Sequence, residues 1–496
     1  MKVRRYRKSL HLQGMKPGGS PLVQTLLIPF FLFAGNAVLK LIFLSSNDLA
    51  LDEPFSVFYS QMDMLTIINE LAKGNNPPLY ELFLHGWVKL GGTDPFWVRL
   101  PSVIFSSMTA VMIYNLGRRF INREVAIVGS LIFTFSTFII YFSHEARVYS
   151  LFALLATISV YYFLRLTTDP KEKNNWTYLL IFNMLLVYAH YFGIIIIGLE
   201  IIYAFVFLWK EKEALRTVTT NVLFLLVIFL PGIIIGFRQA RKIAFEGSWL
   251  SKPTIPAFYD NVHKFSNKPV IAAFFIILIL TLVVRICIGY KAEKPDGLKA
   301  VKFLLVWFFV PYISIFIVSF WIPMFLDRYL MFLTVPFYLL VAVSVSVLAH
   351  KIPWLRYSLF SLIIAGMIYT VKPNPSNNRE VIKVTNLVKE NKSTGTLVLI
   401  TPYWCDLGFL YYYNQDMFHD YLGYQNLMSK DSVFATNDLN WVKQLTAKSE
   451  SNVIYYQNGS GGVDPDDNIK NYLSSKYSHT QELYRKDPIV LTKFSD

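Results

Sequence analysis

The sequence predicts a polytopic α-helical membrane protein that ends in a small α/β domain. Of its 496 residues, 54% are hydrophobic and 16% are charged, whereas soluble domains carry about 25% charged residues. Apolar runs of about 20 residues, the length that crosses a bilayer, recur along most of the chain. Near residue 371 these runs give way to polar segments and short apolar strands. The predicted fold is therefore a membrane bundle followed by a soluble domain.

The apolar runs divide into about eleven predicted transmembrane helices, with approximate limits that follow the hydropathy. The stretch 176–209 is too long for one span, and we place its break at His190-Tyr191-Phe192. The predicted spans are 22–46, 97–117, 124–143, 148–167, 176–190, 191–209, 220–238, 268–289, 301–321, 328–349 and 354–371.

The distribution of charge predicts the orientation. Residues 1–372 carry a net charge of +16 and the remaining residues a net charge of −2. The basic residues cluster in short loops on one side of the predicted spans, and such loops face the cytoplasm. We therefore expect an integral membrane protein with its N-terminus in the cytoplasm and its C-terminus on the opposite side. A basic excess arranged in this way is not a nucleic-acid-binding surface.

Three segments follow from this topology. Residues 1–21 form a basic cytoplasmic N-terminus that leads into a retained anchor, residues 22–371 form the membrane module, and residues 372–496 form an α/β domain outside the membrane. The outer loop 47–96 contains an amphipathic helix that Asp63 begins and Gly74 ends, and we expect it to lie in the membrane interface.

The C-terminal domain is expected to be built on three buried strands, at Leu397–Ile400, Val453–Tyr456 and Ile489–Thr492. Its aromatic residues Trp404 and Tyr411–Tyr413 either contact glycans or lipid head groups, or pack a core. The sequence leaves both interpretations open.

Adjacent carboxylates at Asp52-Glu53 directly follow the first predicted span. An acid at the membrane boundary is costly unless it is paired or used, and a carboxylate there can act as a general base. The alternatives are two solvated loop acids, or one acid that caps the following helix.

Further polar clusters fall on the same predicted face, whereas a purely structural distribution would scatter them over both faces. Arg147 and Arg328 are candidates for binding a phosphate, although exposed arginines also bind lipid head groups without chemistry. His144, Glu145, His190 and the Asp52-Glu53 pair are residue types that bind divalent metals, but their spacing matches no metal motif. We predict no cofactor and no metal. The clusters are Asn75-Asn76-Pro77-Pro78, His144-Glu145-Ala146-Arg147, His190-Tyr191, Arg238 with Arg241 and Lys242, and Asp327-Arg328-Tyr329.

Taken together, these motifs resemble a known family. The acidic pair, the Asn76-Pro77-Pro78-Leu79 corner, Arg99-Leu100-Pro101-Ser102, Ala146-Arg147-Val148-Tyr149 and His190-Tyr191-Phe192-Gly193 occur in order over about residues 20–350. The set is similar to that of the bacterial membrane glycosyltransferases of the protein O-mannosyltransferase and aminoarabinose lipid A transferase superfamily, which have the C-type glycosyltransferase fold.

The resemblance implies a polyprenyl-phosphate-linked sugar as donor and inversion at the sugar. It implies Asp52 as the catalytic carboxylate with Glu53 as its partner, and Asn76 at a position where relatives carry Lys or His. Asn76 lacks the positive charge of Lys or His. The phosphate would therefore be bound by Arg147, Arg328 and the Arg238–Lys242 cluster. The other predicted substrate-binding residues are Glu145, Tyr149, His190, Tyr191 and Tyr329.

The function expected from the sequence is transfer of a hexose or pentose from the lipid carrier to a lipid, glycan or protein acceptor. A lipid or glycan transporter or flippase is one alternative, although transporters typically show internal repeats and ionisable residues at mid-membrane depth. A ligase that moves whole glycans from a lipid carrier is the other.

Overall fold

The computed structural model describes residues 23–74, 76–169, 172–207, 209–246, 250–289, 295–447 and 452–496. The predicted cytoplasmic segment 1–21 and Asn75 lie outside the described residues. The membrane module is helical, and its helices are α1 (Ile28–Leu41), α2 (Glu53–Ser60), α3 (Met64–Lys73), α4 (Leu79–Gly91), α5 (Pro95–Phe120), α6 (Arg123–Thr134), α7 (Thr137–Ser143), α8 (Tyr149–Thr168), α9 (Lys173–Ala189), α10 (Gly193–Phe207), α11 (Lys212–Ile228), α12 (Leu230–Glu246), α13 (Ile255–Phe265), α14 (Pro269–Cys287), α15 (Pro295–Val318), α16 (Thr334–Leu348) and α17 (Pro353–Thr370).

The described residues contain fewer clear spans than the eleven predicted. Five helical segments are long and apolar enough to cross a membrane, and up to seven do so if each of two bent pairs is one span. The bent pairs are α6 with α7, at 62°, and α11 with the first part of α12, at 68°. Two shorter apolar helices cover Thr25–Leu41 and Gly193–Val206. Composition alone does not reveal such bends, because both halves of a broken helix are apolar.

Two features of the bundle agree with the hydropathy, namely the break near His190 and the central apolar segment after Asp327. The predicted break at 190–192 lies between α9 and α10. The segment Asp327–Leu348 is buried along its whole apolar window, at the centre of the module. It begins as a 3-10 turn, Asp327–Leu333, and continues as α16. The turn carries Arg328 at the N-terminal end of this central helix.

The loop after α1 returns through the predicted amphipathic helix. The Asp63 carboxylate accepts hydrogen bonds from the backbone N–H groups of Leu65 and Thr66, both at 3.1 Å, and Gly74 ends the helix. Ile67 and Leu71 are buried, whereas Met64 and Leu65 are exposed. The predicted helix and both of its caps are therefore confirmed.

Residues 381–495 form the α/β domain. Its helices are α18 (Val381–Asn391), α19 (Asp406–Tyr413), α20 (Gln415–His419), α21 (Tyr424–Lys430), α22 (Leu439–Ala447) and α23 (Asn468–Lys476). Its described strands are β1 (Thr396–Thr401), β2 (Val433–Ala435), β3 (Asn452–Asn458), β4 (His479–Lys486) and β5 (Ile489–Ser495).

The strands form one sheet in the order β2-β1-β3-β5-β4. Strand β1 pairs in parallel with β2 and β3, and β5 pairs antiparallel with β3 and β4. The three predicted strands are β1, β3 and β5. The sequence analysis missed β2, which has only three residues, and β4, whose polar sequence shows no alternation with apolar residues.

The domain packs directly on the loop that follows α1. Tyr412 accepts a hydrogen bond at its hydroxyl from the backbone N–H of Leu49, at 2.6 Å, and the Tyr411 hydroxyl donates to the Thr93 carbonyl at 2.9 Å. The Tyr413 hydroxyl donates to Asp431 within the domain. For these three tyrosines the structure supports the packing interpretation, since their hydroxyls hold the domain together and fasten it to the membrane module.

Candidate active site

Asp52 lies at the start of α2, directly after a sharp turn of the chain. Leu51 makes that turn with φ = +57°, a left-handed conformation that leucine rarely adopts. Strained backbone of this kind clusters at functional sites because the surrounding structure must enforce it. The Asp52 carboxylate forms no hydrogen bond with the first turn of α2. Asp52 is therefore not acting as a helix cap.

Two arginines that are distant in sequence meet at Asp52. The Arg328 Nη1 atom lies 3.4 Å from Oδ2 of Asp52. The Arg147 Nη1 atom donates to the backbone carbonyl of Asp52 at 3.3 Å. The Asp52 side chain is 43% exposed, so it is open to solvent or to a ligand. The arrangement is an accessible carboxylate flanked by two guanidinium groups.

Arg147 is held in place by buried polar groups. Its Nη1 donates to the Ser56 hydroxyl at 2.6 Å and lies 3.8 Å from Oε1 of Glu81. The Ser56 hydroxyl in turn donates to the same Glu81 oxygen at 2.7 Å. Burial acts to lower the pKa of Arg147, but Tyr149, Asp52 and Glu81 outweigh it and raise the pKa overall. Arg147 is thus a fixed positive charge.

Aromatic rings complete the surroundings of both arginines. The Arg147 guanidinium lies 5.9 Å from the ring centroids of Phe55 and Tyr149, and Arg328 lies 5.6 Å from that of Tyr329. Rings at such distances stabilise a cation and exclude water from its flanks. The predicted site residues Tyr149 and Tyr329 therefore lie beside the cations.

Glu81 and Ser56 are site residues that the sequence analysis did not single out. Glu81 lies in the first turn of α4, three residues after Pro78, and its side chain is 3% exposed. Burial raises its pKa, although Arg147 and Ser56 act to lower it. The sequence feature that could have indicated Glu81 is the position of an acid shortly after the rigid Pro77-Pro78 corner.

Glu53, predicted as the catalytic partner of Asp52, forms a buried ion pair with Arg99. Its Oε1 accepts hydrogen bonds from Arg99 Nε and from the Ala146 backbone N–H, both at 2.8 Å, and its Oε2 accepts from Arg99 Nη2 at 2.7 Å. Both side chains are almost fully buried. With its two oxygens engaged in this way, Glu53 holds Arg99 and the backbone at Ala146 beside Asp52.

Besides Glu53, Arg99 also binds the loop that precedes Asp52. Its Nη1 donates to the carbonyls of Leu44 and Asn47, at 3.0 and 2.8 Å, and its Nη2 donates to that of Asp48 at 3.1 Å. A single guanidinium group therefore joins α5, the loop before Asp52 and Glu53. The sequence motif Arg99–Ser102 drew attention to Arg99. The partners of Arg99 could not be predicted, because they are carbonyl groups of a loop distant in sequence.

The loop that precedes α8 carries His144 and Glu145. His144 Nε2 donates to the carbonyl of Lys40 at 2.8 Å, and burial lowers the pKa of His144 to about 4. This histidine is therefore neutral and fastens the loop to α1. Glu145 lines a small cavity that Glu53, Arg99 and Asn377 also border. Burial, followed by the negative charges of Glu53 and Asp52, raises the pKa of Glu145 to about 8.

This pKa predicts a pH dependence of stability. From the ordinary value of 4.5 up to about 8, folded Glu145 keeps a proton that the unfolded chain releases. The free energy of unfolding should therefore fall with rising pH in that window, by at most about 1.4 kcal/mol per pH unit. Glu145→Gln should remove this part of the fall. Melting of both proteins between about pH 5 and pH 9 measures it, and Glu390→Gln, exposed on α18, is the control. Parallel profiles for wild type and Glu145→Gln would contradict this assignment.

The turn after α9 places its two predicted residues in different surroundings. The ring of His190 stacks on Phe152, with centroids 4.8 Å apart, and lies 5.4 Å from that of Tyr329. Tyr191 packs instead in a separate apolar cluster between α9, α10 and α11. The structure therefore connects His190 to the site through Tyr329 and does not bring Tyr191 to it.

The remaining candidates lie outside the cluster of Asp52, Arg147 and Arg328. Asn76 is partly exposed, and within the described residues no hydrogen bond joins it to those three. Arg238 is exposed on α12, and the Lys242 side chain lies outside the described part. Among the described residues, no three His, Cys, Asp or Glu side chains gather as a metal site would require.

Comparison with known proteins agrees with this architecture. Residues 75–235 match the sequence model of the dolichyl-phosphate-mannose-protein mannosyltransferase family, a segment that contains Arg99 and Arg147 but not Asp52 or Arg328. No curated protein sequence matches the chain.

Two solved structures share the fold. One is ArnT from Cupriavidus metallidurans bound to undecaprenyl phosphate, with a TM-score of 0.58 and 12% identity, covering 94% of this chain and 97% of that one. The other is the archaeal oligosaccharyltransferase AglB from Archaeoglobus fulgidus in complex with an inhibitory peptide and a dolichol-phosphate, with a TM-score of 0.52 and 11% identity, covering 88% of this chain and 70% of that one. The matched segment and the shared fold confirm the resemblance seen in the motifs, and the chain is a multi-pass membrane protein with the C-type glycosyltransferase fold.

Proposed function

We propose that this protein transfers a sugar from a polyprenyl-phosphate carrier to an acceptor at the outer face of the bacterial inner membrane. The observation that carries the proposal is the convergence of Asp52 with Arg328 and Arg147, at 3.4 and 3.3 Å. The reaction needs a base beside the acceptor and positive charge beside the departing phosphate, and this cluster supplies both.

The proposed step is a single displacement. Asp52 accepts the proton of the acceptor hydroxyl or amine as that atom forms a bond to the anomeric carbon. The bond from the anomeric carbon to the phosphate oxygen breaks, and its electron pair leaves with polyprenyl phosphate. Arg328 and Arg147 stabilise the phosphate charge, and attack from the opposite side inverts the sugar.

The likeness to ArnT, solved with undecaprenyl phosphate, and to AglB, solved with a dolichol-phosphate, supports a lipid-phosphate donor. Glu81, Ser56, Glu53 and Arg99 do not react in this scheme. They hold Arg147 and the Asp52 backbone at fixed positions, which reduces the reorganisation that the reaction requires.

A transfer assay tests the proposal. Membranes from cells that lack the gene supply the acceptor, and purified protein is added with a radiolabelled polyprenyl-phosphate hexose or pentose. We expect label in a membrane product together with released polyprenyl phosphate. The product mass distinguishes the addition of one sugar from the addition of a whole glycan. Movement of the donor across sealed vesicles without covalent product would instead support a flippase.

Arg328→Gln tests the phosphate contact. Hydrogen bonds to charged groups contribute about 1.5–3 kcal/mol, so the variant should raise the donor KM, or lower kcat/KM, by about 10- to 100-fold. Arg238→Gln removes an exposed arginine of α12 and should change neither value by more than about twofold. Equal effects of the two substitutions would remove Arg328 from the donor site.

A further inference from the structure

The C-terminal domain exposes an aromatic pair that the proposed reaction does not use. Tyr403 and Trp404 are 56% and 47% exposed, and their ring centroids lie 5.2 Å apart at 77°. Both belong to the short turn that follows β1. We propose that this turn is the acceptor subsite of the enzyme and that it binds a sugar ring of a glycan acceptor. The inference rests on the proposed transferase function and adds the class of acceptor.

The position of the turn in the sheet supports a binding role. After β1 the chain leads to β2 on one side, whereas β3 lies on the other side of β1 and leads toward β5 and β4. The carboxyl ends of parallel strands whose connections diverge in this way form a crevice that commonly binds ligands. Because β3 runs parallel to β1, the loop after β3 leaves the sheet at the same edge. The aromatic pair therefore lies at the edge of the sheet where ligands of such folds commonly bind.

The turn is also close to α2, the helix that directly follows Asp52. It leads directly into α19, where a Cβ at Gly408 would lie 3.6 Å from the Pro54 ring. Pro54 is two residues from Asp52. In addition, Phe58 packs against Phe418 with ring centroids 5.4 Å apart. A ligand held at this turn therefore lies near α2, the helix that directly follows Asp52.

The chemistry of the turn suits a sugar. A pyranose has one apolar C–H face, which packs on an aromatic ring, and a rim of hydroxyl groups, which donate to carboxylates. Asp406 supplies a carboxylate at the start of α19, and burial raises its pKa to about 6. Burial, then the charges of Glu70 and Asp406, raises the pKa of Tyr59 on α2. The Asp406 carboxylate directly follows the aromatic turn in sequence and is near enough to α2 for its charge to act on Tyr59.

Two other ligand classes fit less well. An anionic lipid head group prefers a basic surface, but the charged residue that directly follows this turn is an acid, Asp406. An extended peptide pairs with an exposed strand edge, but β1 and β3 lie inside the sheet, between β2 and β5.

The test is binding of purified full-length protein to an array of immobilised defined glycans, peptides and anionic lipids. Wild type and Asp52→Asn should bind the same subset of glycans. Trp404→Ala should weaken that binding by about tenfold or more, and Trp404→Phe should largely restore it. Trp441→Ala is the matched control, because Trp441 is a 42% exposed tryptophan on α22 of the same domain. Melting in detergent verifies that each variant is folded.

Binding of peptides or lipids but not glycans would overturn the proposal, as would no binding at all, or equal losses in Trp404→Ala and Trp441→Ala. Because Asp52→Asn tests binding without transfer, the two proposals can fail separately. Glycan binding with undiminished transfer by Asp52→Asn would contradict the mechanism and leave the subsite standing.

Discussion

Replacing Asp52 by Asn is expected to lower the rate of sugar transfer by about 10²–10⁴-fold, the usual contribution of a general base. Asn keeps the size of the side chain and its polar contact with Arg328 but cannot take the acceptor proton. The donor KM should change much less than kcat, because Arg147 reaches the Asp52 backbone and not its carboxylate. Initial rates at several donor concentrations separate the two effects.

The control for that experiment is Asp63→Asn. Asp63 is another exposed acid of the segment between α1 and α5, and asparagine caps a helix as well as aspartate does. The control should therefore transfer sugar at the wild-type rate. Similar activity of Asp52→Asn and Asp63→Asn would remove Asp52 from the chemistry and leave only a structural cluster of charges.

The second large effect is expected on stability, from Arg99→Ala. The substitution leaves the Glu53 carboxylate buried with the Ala146 N–H as its remaining hydrogen-bond donor among the described residues, and three backbone carbonyls lose a donor. Removing one partner of a buried ion pair typically costs about 3–5 kcal/mol. We expect a large drop in the melting temperature in detergent and a reduced yield of folded protein.

Two further variants show whether loss of the Glu53–Arg99 ion pair causes the destabilisation. In Glu53→Ala/Arg99→Ala the uncompensated charge is gone, so the double variant should be less destabilised than the two single effects would predict by addition. Lys73→Ala breaks the exposed Lys73–Glu70 pair and should cost less than about 1 kcal/mol. Strict additivity, or an Arg99→Ala protein as stable as Lys73→Ala, would contradict a structural role for the buried pair.

Local elements of the fold followed from the sequence where a short stretch contains the whole cause. The helix Met64–Lys73 was predicted with both ends, because Asp63 and Gly74 act on residues within one turn of themselves. Strands β1, β3 and β5 were predicted because each is a continuous apolar run. Strand β4 has no such run, and only its pairing with β5 makes it a strand.

The candidate site shows the same division. Asp52, Arg147 and Arg328 were recognisable as unusual charges beside apolar runs, and the structure brings them together. Glu81, Ser56 and the partners of Arg99 were not recognisable, since a buried polar residue looks like a surface residue until its neighbours are known. The buried pairing of Glu53 with Arg99 was not recognisable for the same reason.

The sequence by itself determined that the chain is a membrane bundle with an α/β domain, and that its unusual charges lie at the ends of apolar runs. Hydropathy and helix caps act over a few residues, so their effects can be read along the chain. Only the tertiary structure decided which carboxylate stays exposed, which one is paired by Arg99, and how many apolar runs bend. Those outcomes depend on contacts between residues as far apart as Asp52 and Arg328, and such contacts form only when the helices pack.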